Sequence, residues 1–122
     1  MRKIFISLLL FTILIQLASP AAAAERQNLI LTTATTGGTY YPVGVAIGTL
    51  ATMKLGKQNI SGTAINSAGS GENIQMLKND EAQLAILQGI FGAHAYGGRG
   101  MYEGRPYAGF RSITTLWENV EH

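Results

Sequence analysis

Two short loops rich in small and hydroxylated residues are the places in this sequence where a ligand could bind. The first, Thr35–Tyr41, reads TTGGTYY, and the second, Ser67–Asn73, reads SAGSGEN. Glycine lets the main chain approach a ligand closely, and serine and threonine hydroxyls can donate hydrogen bonds. If each loop leads into a helix, the first-turn N–H groups carry partial positive charge, which suits an anion. This chemistry predicts a carboxylate ligand.

The sequence does not indicate a catalytic site. Nucleophilic catalysis needs a base and an orienting acid beside the nucleophile, and a metal site needs clustered ligands; neither pattern is found. His94 lies between Ala93 and Ala95 in an apolar segment, which favours a packing role. Glu72 lies near the end of the second loop, where a carboxylate is typically solvated or paired with a helix dipole. No metal and no cofactor is predicted.

Alternating strands and helices would position the two loops. Short apolar, β-branched runs bounded by turn residues predict strands, and apolar residues at three- and four-residue spacing predict helices. The resulting order, β-α-β-α-β-α-β, favours an α/β fold with a mostly parallel sheet, in which ligands bind beyond the carboxyl ends of the strands. The predicted strands are Asn28–Ala34, Ile60–Asn66, Gln83–Gln88 and Arg111–Trp117. The predicted helices are one that starts near Tyr40–Pro42 and is stopped by Gly56, and those over Glu72–Asn79 and Gly89–Tyr96.

Three further expectations concern how these elements are built. Ser70 is a plausible N-cap for the second helix, with Ile74 and Leu77 facing inward. The segment Gly97–Gly109 contains five glycines and is predicted to be a flexible excursion. The first helix is expected to bury one apolar face, formed by Val43, Ala46, Ile47, Leu50 and Met53.

The first 24 residues have the three-part pattern of a secretory signal peptide. Arg2 and Lys3 precede the apolar run Ile4–Ala18, and four alanines, Ala21–Ala24, follow. The apolar run is shorter than the roughly 20 residues that a spanning helix needs. We therefore expect export, with cleavage after Ala23 or Ala24, and a mature chain of residues 25–122.

The charge of the remaining chain excludes nucleic acid as a partner. Residues 25–122 carry seven basic and seven acidic side chains, so no basic stripe is left to neutralise phosphates. The chain has no cysteine and thus no disulfide framework. All 15 glycines lie in this part. Because glycine loses more backbone entropy on folding than other residues, the folded domain must be large or bound to a partner to be stable.

Three ordered motifs resemble the TAXI family of solute receptors of TRAP transporters. They are Gly38–Gly44 (GTYYPVG) after the first strand, Ser67–Ile74 (SAGSGENI) after the second, and Glu81–Gln88 (EAQLAILQ) at the third. The resemblance runs from about Asn28 to Trp117. It implies a type II periplasmic-binding-protein-like fold, in which two α/β lobes close on a small organic anion, and delivery of that anion to a membrane permease driven by an ion gradient.

Carried over by position, the resemblance implies which residues face the ligand. The sequence does not distinguish between glutamate-like amino acids and dicarboxylates as the ligand. Two departures lie at Gly71, where a larger residue is usual, and at Gly89-Ile90, where a Ser-Asp pair is usual. The expected ligand-binding residues are Gly38, Thr39, Tyr40, Tyr41, Ser67, Gly69, Ser70, Glu72, Asn73 and Gln88.

The length is a further departure, because receptors of this family are roughly two and a half times longer. We therefore expect residues 25–122 to hold only the N-terminal part of the first lobe. Two other hypotheses stay open: a small exported enzyme, for which His94 is the obvious candidate, and a truncated, nonfunctional remnant. The remnant hypothesis predicts a poorly folded chain with an exposed apolar sheet edge.

Overall fold

The computed structural model describes residues 25–118; the predicted signal peptide, residues 1–24, lies outside the described residues. Within residues 25–118, no helix is long and apolar enough to cross a membrane. The strands are β1 (Gln27–Thr32), β2 (Ile60–Ile65) and β3 (Leu84–Ala85); the α-helices are α1 (Tyr40–Leu55), α2 (Ser70–Lys78) and α3 (Gly89–Gly97); 3₁₀ turns lie at Gly56–Gln58 and Gly100–Tyr102.

The three strands form a parallel sheet in the order β2-β1-β3. Thr32 of β1 pairs with Ile65 of β2 on one side and with Ala85 of β3 on the other. The carboxyl ends of all three strands therefore meet at one edge, which is where helices following parallel strands begin. This confirms the predicted α/β class and is consistent with part of a periplasmic-binding-protein-like domain.

The third strand is shorter than the predicted Gln83–Gln88. Only Leu84 and Ala85 belong to the ladder, although Gln83 N donates to Ile30 O at 3.1 Å and Ile86 N donates to Thr32 O at 3.0 Å. These two bonds continue the pairing on both sides. The chain leaves the sheet after Ile86 because its next residues turn into α3.

The predicted fourth strand, Arg111–Trp117, is wrong. This segment has no regular secondary structure, and its side chains are exposed, Ile113 at 81%. The alternation of β-branched residues favours an extended backbone, but a strand also needs a neighbour to accept its main-chain hydrogen bonds. Among the described residues, none pairs with this segment.

Helix α1 confirms the predicted helix that starts near Tyr40 and is stopped by Gly56, but it turns a different face to the sheet. Its buried residues are Gly44 and Gly48, whereas Leu50 and Met53 are 53% and 73% exposed. The predicted apolar face is therefore wrong in part: Val43 and Ile47 are half-buried, but Ala46, Leu50 and Met53 are exposed. The helix lies very close to the strands: a Cβ on Gly44 would be 2.3 Å from the Thr33 methyl carbon. Because only glycine allows this approach, glycines and not large apolar residues form the contact.

A cluster of buried residues joins α2, α3 and the Gly97–Gly109 excursion. Ile74 of α2 and Ala95 of α3 are buried together with Tyr102. Tyr107 packs against this cluster, and its hydroxyl donates to Leu77 O at 3.1 Å. The excursion was predicted to be flexible, but these contacts attach it to α2 and α3. Aromatic side chains hold it because they supply large apolar area that its glycines lack.

Candidate functional site

The two small-residue loops open into one cleft at the carboxyl edge of the sheet. The cleft has a volume of about 580 Å³, within the range of small-molecule sites. Thr39 and Tyr40 border it from the start of α1, and Ser70 and Glu72 border it from the start of α2. Its complete lining is Ala34, Gly38, Thr39, Tyr40, Ala68, Gly69, Ser70, Gly71, Glu72, Gln88, Phe91 and Trp117.

The first turn of α1 begins at this cleft, and its first N–H groups have no acceptor within the helix. The first hydrogen bond within the helix is donated by Val43 N to Thr39 O at 3.4 Å, so the N–H groups of Tyr40 and Tyr41 precede it. Thr39 occupies the N-cap position, and its hydroxyl makes no capping hydrogen bond. No acidic residue lies in the first turn of α1. This end of α1 can therefore stabilise an anionic group.

The start of α2 is built differently, because a glycine and a carboxylate occupy it. Gly69 is the N-cap, with φ 104° and ψ −160°, a conformation that residues with a Cβ rarely adopt. The predicted N-cap, Ser70, is instead the first helical residue; its hydroxyl oxygen accepts a hydrogen bond from Gln88 N at 2.9 Å. Glu72 accepts a hydrogen bond from Ala68 N through Oε2. Its negative charge offsets the positive end of α2.

Asn73 connects α2 to the ends of the strands instead of facing the cleft. It is fully buried, and its Nδ2 donates to Thr33 O at 2.6 Å and to Ile86 O at 2.8 Å. Its Oδ1 accepts from the hydroxyls of Thr32 at 2.7 Å and Ser67 at 2.6 Å. Both amide hydrogens and the carbonyl oxygen are thus occupied. We call these five residues the asparagine hub.

Aromatic side chains form the apolar part of the cleft. The rings of Tyr40 and Trp117 meet edge to face with centroids 5.6 Å apart. Phe91 reaches the same cleft from α3. Partial burial raises the pKa of the Tyr40 phenol, because the phenolate would lose hydration. Tyr40 therefore presents a neutral hydroxyl at neutral pH.

Seven of the ten predicted site residues line this cleft and three do not. Ser67 and Asn73 belong to the asparagine hub, and Tyr41 lies outside the lining. Phe91 and Trp117 line the cleft and were not predicted, since both lie in other elements and no sequence pattern links them to the loops. Those that line it are Gly38, Thr39, Tyr40, Gly69, Ser70, Glu72 and Gln88.

No grouping of metal ligands accompanies the cleft. Within residues 25–118, the structure has no cluster of three or more His, Cys, Asp or Glu side chains. His94 lies half-buried on α3 and does not line the cleft; its ring is instead close to Gly100, where a Cβ would be 2.8 Å from Nδ1. The arrangement can hold a small molecule through hydrogen bonds and apolar contact.

Comparison with known protein families agrees with this arrangement. A family model described as the NMT1-like family matches residues 31–122, which includes both loops and all three helices. This is a periplasmic-binding-protein-like family, and it indicates a substrate-binding role. The chain belongs to the NMT1-like family.

Proposed function

We propose that this chain is a solute receptor that captures a small carboxylate ligand outside the cytoplasm for a TRAP-type secondary transporter. One observation carries the proposal: the loops before α1 and α2 open into a single cleft bordered by Thr39, Tyr40 and Gln88. Membership of the NMT1-like family supports binding as the role, with no covalent chemistry.

The ligand's carboxylate is assigned to the start of α1. The Tyr40 N–H and the Thr39 hydroxyl are donors at the cleft, and no acidic side chain lies in the first turn of α1. Charge-assisted hydrogen bonds of this kind are stronger than neutral ones. Glutamate-like amino acids and dicarboxylates both carry the required group.

The TRAP permease is proposed as the partner on the strength of the three motifs that resemble TAXI receptors. Residues 1–24 have the pattern of an export signal, which supports a periplasmic or otherwise extracytoplasmic location. Reconstitution tests this partnership: a TRAP permease in liposomes should take up the ligand only when the chain is added. Uptake at the same rate without the chain contradicts the partnership.

Ligand-induced stabilisation tests binding at the cleft. A panel of small carboxylates, including L-glutamate and succinate, is added to the purified chain, and thermal unfolding is followed by circular dichroism. A ligand at 100 times its Kd stabilises by about 2.7 kcal/mol. Thr39→Ala and Tyr40→Ala should lose this stabilisation. Thr49→Ala is the matched control, because its hydroxyl bonds to Val45 O on the exposed side of α1.

Two results would contradict the proposed binding site. One is a chain that unfolds cooperatively yet is stabilised by none of the compounds. The other is stabilisation that Thr39→Ala and Tyr40→Ala leave unchanged. A chain without a cooperative transition would instead favour the remnant hypothesis.

A further inference from the structure

The cleft combines one carboxylate with three aromatic rings. Tyr40, Phe91 and Trp117 line it together with Glu72. Among the described residues that line it, none is Lys, Arg or His. The side chains of the cleft thus supply one negative charge and no positive charge to balance it.

The position of Glu72 keeps its charge at the cleft surface. Its Oε2 accepts a hydrogen bond from Ala68 N, so the side chain folds back along the loop that borders the cleft. Phe91 lines the same cleft, and a Cβ on Gly71, the residue before Glu72, would be 3.9 Å from Phe91 Cε1. The carboxylate is exposed and has a second oxygen available for a ligand.

Such a lining attracts an ammonium group. A cation within about 6 Å of an aromatic ring is drawn to the ring face, most strongly to Trp, and a carboxylate adds direct Coulomb attraction. A ligand carboxylate placed beside Glu72 and the rings would be repelled by the Glu72 carboxylate. No cationic side chain among the described residues of the lining would compensate for that repulsion. The apolar remainder of the lining, such as Ala34 and Ala68, suits an apolar group.

We infer that the ligand is a zwitterionic amino acid with one carboxylate, a protonated amine placed at Glu72 and an apolar or aromatic side group. The inference rests on the proposed function, because the carboxylate at the start of α1 is part of that proposal. It narrows the ligand class: a second carboxylate, as in glutamate or a dicarboxylate, would lie beside Glu72 and the aromatic rings.

Ligands that differ in a single group measure the contribution of the amine to binding. L-Phenylalanine and 3-phenylpropionate differ only in the ammonium group, and L-glutamate differs from L-phenylalanine in its side group. Binding is measured by calorimetry and by the fluorescence of Trp117, the single tryptophan of the chain, which lies at the cleft. L-Phenylalanine should bind about tenfold more tightly than 3-phenylpropionate, and more tightly than L-glutamate.

Glu72→Gln is the decisive variant. Glutamine keeps the volume and can still accept from Ala68 N, so the loop keeps its hydrogen bond while the charge is lost. The preference for L-phenylalanine over 3-phenylpropionate should fall to within about twofold. Glu81→Gln is the control: Glu81 is exposed, bonds to Asn79 and does not line the cleft, so its removal should leave the preference intact.

Three outcomes would overturn the inference. If 3-phenylpropionate, L-glutamate or succinate binds as tightly as L-phenylalanine, the ligand class is wrong while the proposed receptor function stands. If Glu72→Gln leaves the preference unchanged, the amine is recognised elsewhere. If no carboxylate binds to the folded chain, the proposed function itself fails and the inference fails with it.

Discussion

Replacing Asn73 by alanine should destabilise the fold strongly although the side chain is polar and small. The asparagine hub uses every donor and acceptor of Asn73, in four hydrogen bonds of 2.6 to 2.8 Å, and the side chain is fully buried. These bonds join β1, the loop after β2, the residue after β3 and α2. Their loss therefore affects every strand end that borders the cleft.

The magnitude follows from the four partners that Asn73→Ala leaves behind. A hydrogen bond contributes about 1 kcal/mol net, and a buried polar group left without a partner costs about 1–3 kcal/mol. Some partners can pair again, because the Ser67 hydroxyl lies 3.2 Å from Thr33 O and can donate its hydrogen there once Asn73 Oδ1 is removed. We therefore expect a loss of about 3–5 kcal/mol, a large part of the total stability of a small domain.

Urea denaturation followed by circular dichroism measures this loss. With a slope of about 2 kcal/mol per molar urea, the midpoint should fall by roughly 2 M. Asn73→Asp separates hydrogen bonding from volume, because it keeps the size but replaces the two donated bonds with an acceptor facing Thr33 O and Ile86 O. It should be at least as destabilising as Asn73→Ala. Asn66→Ala, at an exposed asparagine, should change the midpoint little.

The reasoning is refuted if Asn73→Ala lies within about 1 kcal/mol of the unaltered chain, or if Asn73→Asp is nearly neutral. Either result would mean that the four bonds do not hold the strand ends together. The asparagine hub would then be a consequence of the fold and not one of its causes.

Three further predictions concern backbone approach and ionisation. Gly44→Ala should cost about 1–3 kcal/mol in urea denaturation, because its Cβ would meet the Thr33 methyl carbon at 2.3 Å; Gly56→Ala, with nothing within 4 Å, should be near neutral. Gly69→Ala, at φ 104°, should cost about 1–3 kcal/mol, whereas Gly71→Ala, with only a 3.9 Å contact, should cost less. Burial raises the pKa of Tyr102 above its ordinary 10.0, so the phenol of the unfolded chain loses its proton at a lower pH than that of the folded chain. The free energy of unfolding should therefore fall as the pH rises above about 10, and Tyr102→Phe should make that fall shallower.

The sequence predicts those parts of the fold that depend on local pattern. The alternation of apolar runs with glycine-rich turns located β1, β2 and all three helices, and hence the parallel sheet. The prediction of a strand at Arg111–Trp117 was wrong because strand formation depends on a neighbouring strand, and a local sequence pattern carries no information about neighbours. The apolar face predicted for α1 was wrong in part for a similar reason: the close approach of Gly44 to Thr33 depends on how the helix packs back on the strand.

The composition of the candidate site was less predictable than its location. Both loops reach the carboxyl edge of the sheet because each follows a parallel strand, and this rule needs only the order of elements. Trp117 reaches the cleft from a segment that follows the whole βα array, where it meets Tyr40. No spacing rule relates the two residues, so the aromatic part of the lining could be found only from the folded structure.

Helix geometry explains why two adjacent residues of one motif have different surroundings. Successive residues of a helix are rotated by about 100°, so Glu72 can border the cleft while Asn73 is directed at the strands. Asn73 lies three and four residues before Met76 and Leu77, which are both half-buried, and this spacing indicates an inward position. The asparagine belongs to the apolar face of α2 and is tolerated there because all its polar atoms are bonded. Substitutions at Glu72 should therefore change which ligand binds, and substitutions at Asn73 should change whether the cleft forms at all.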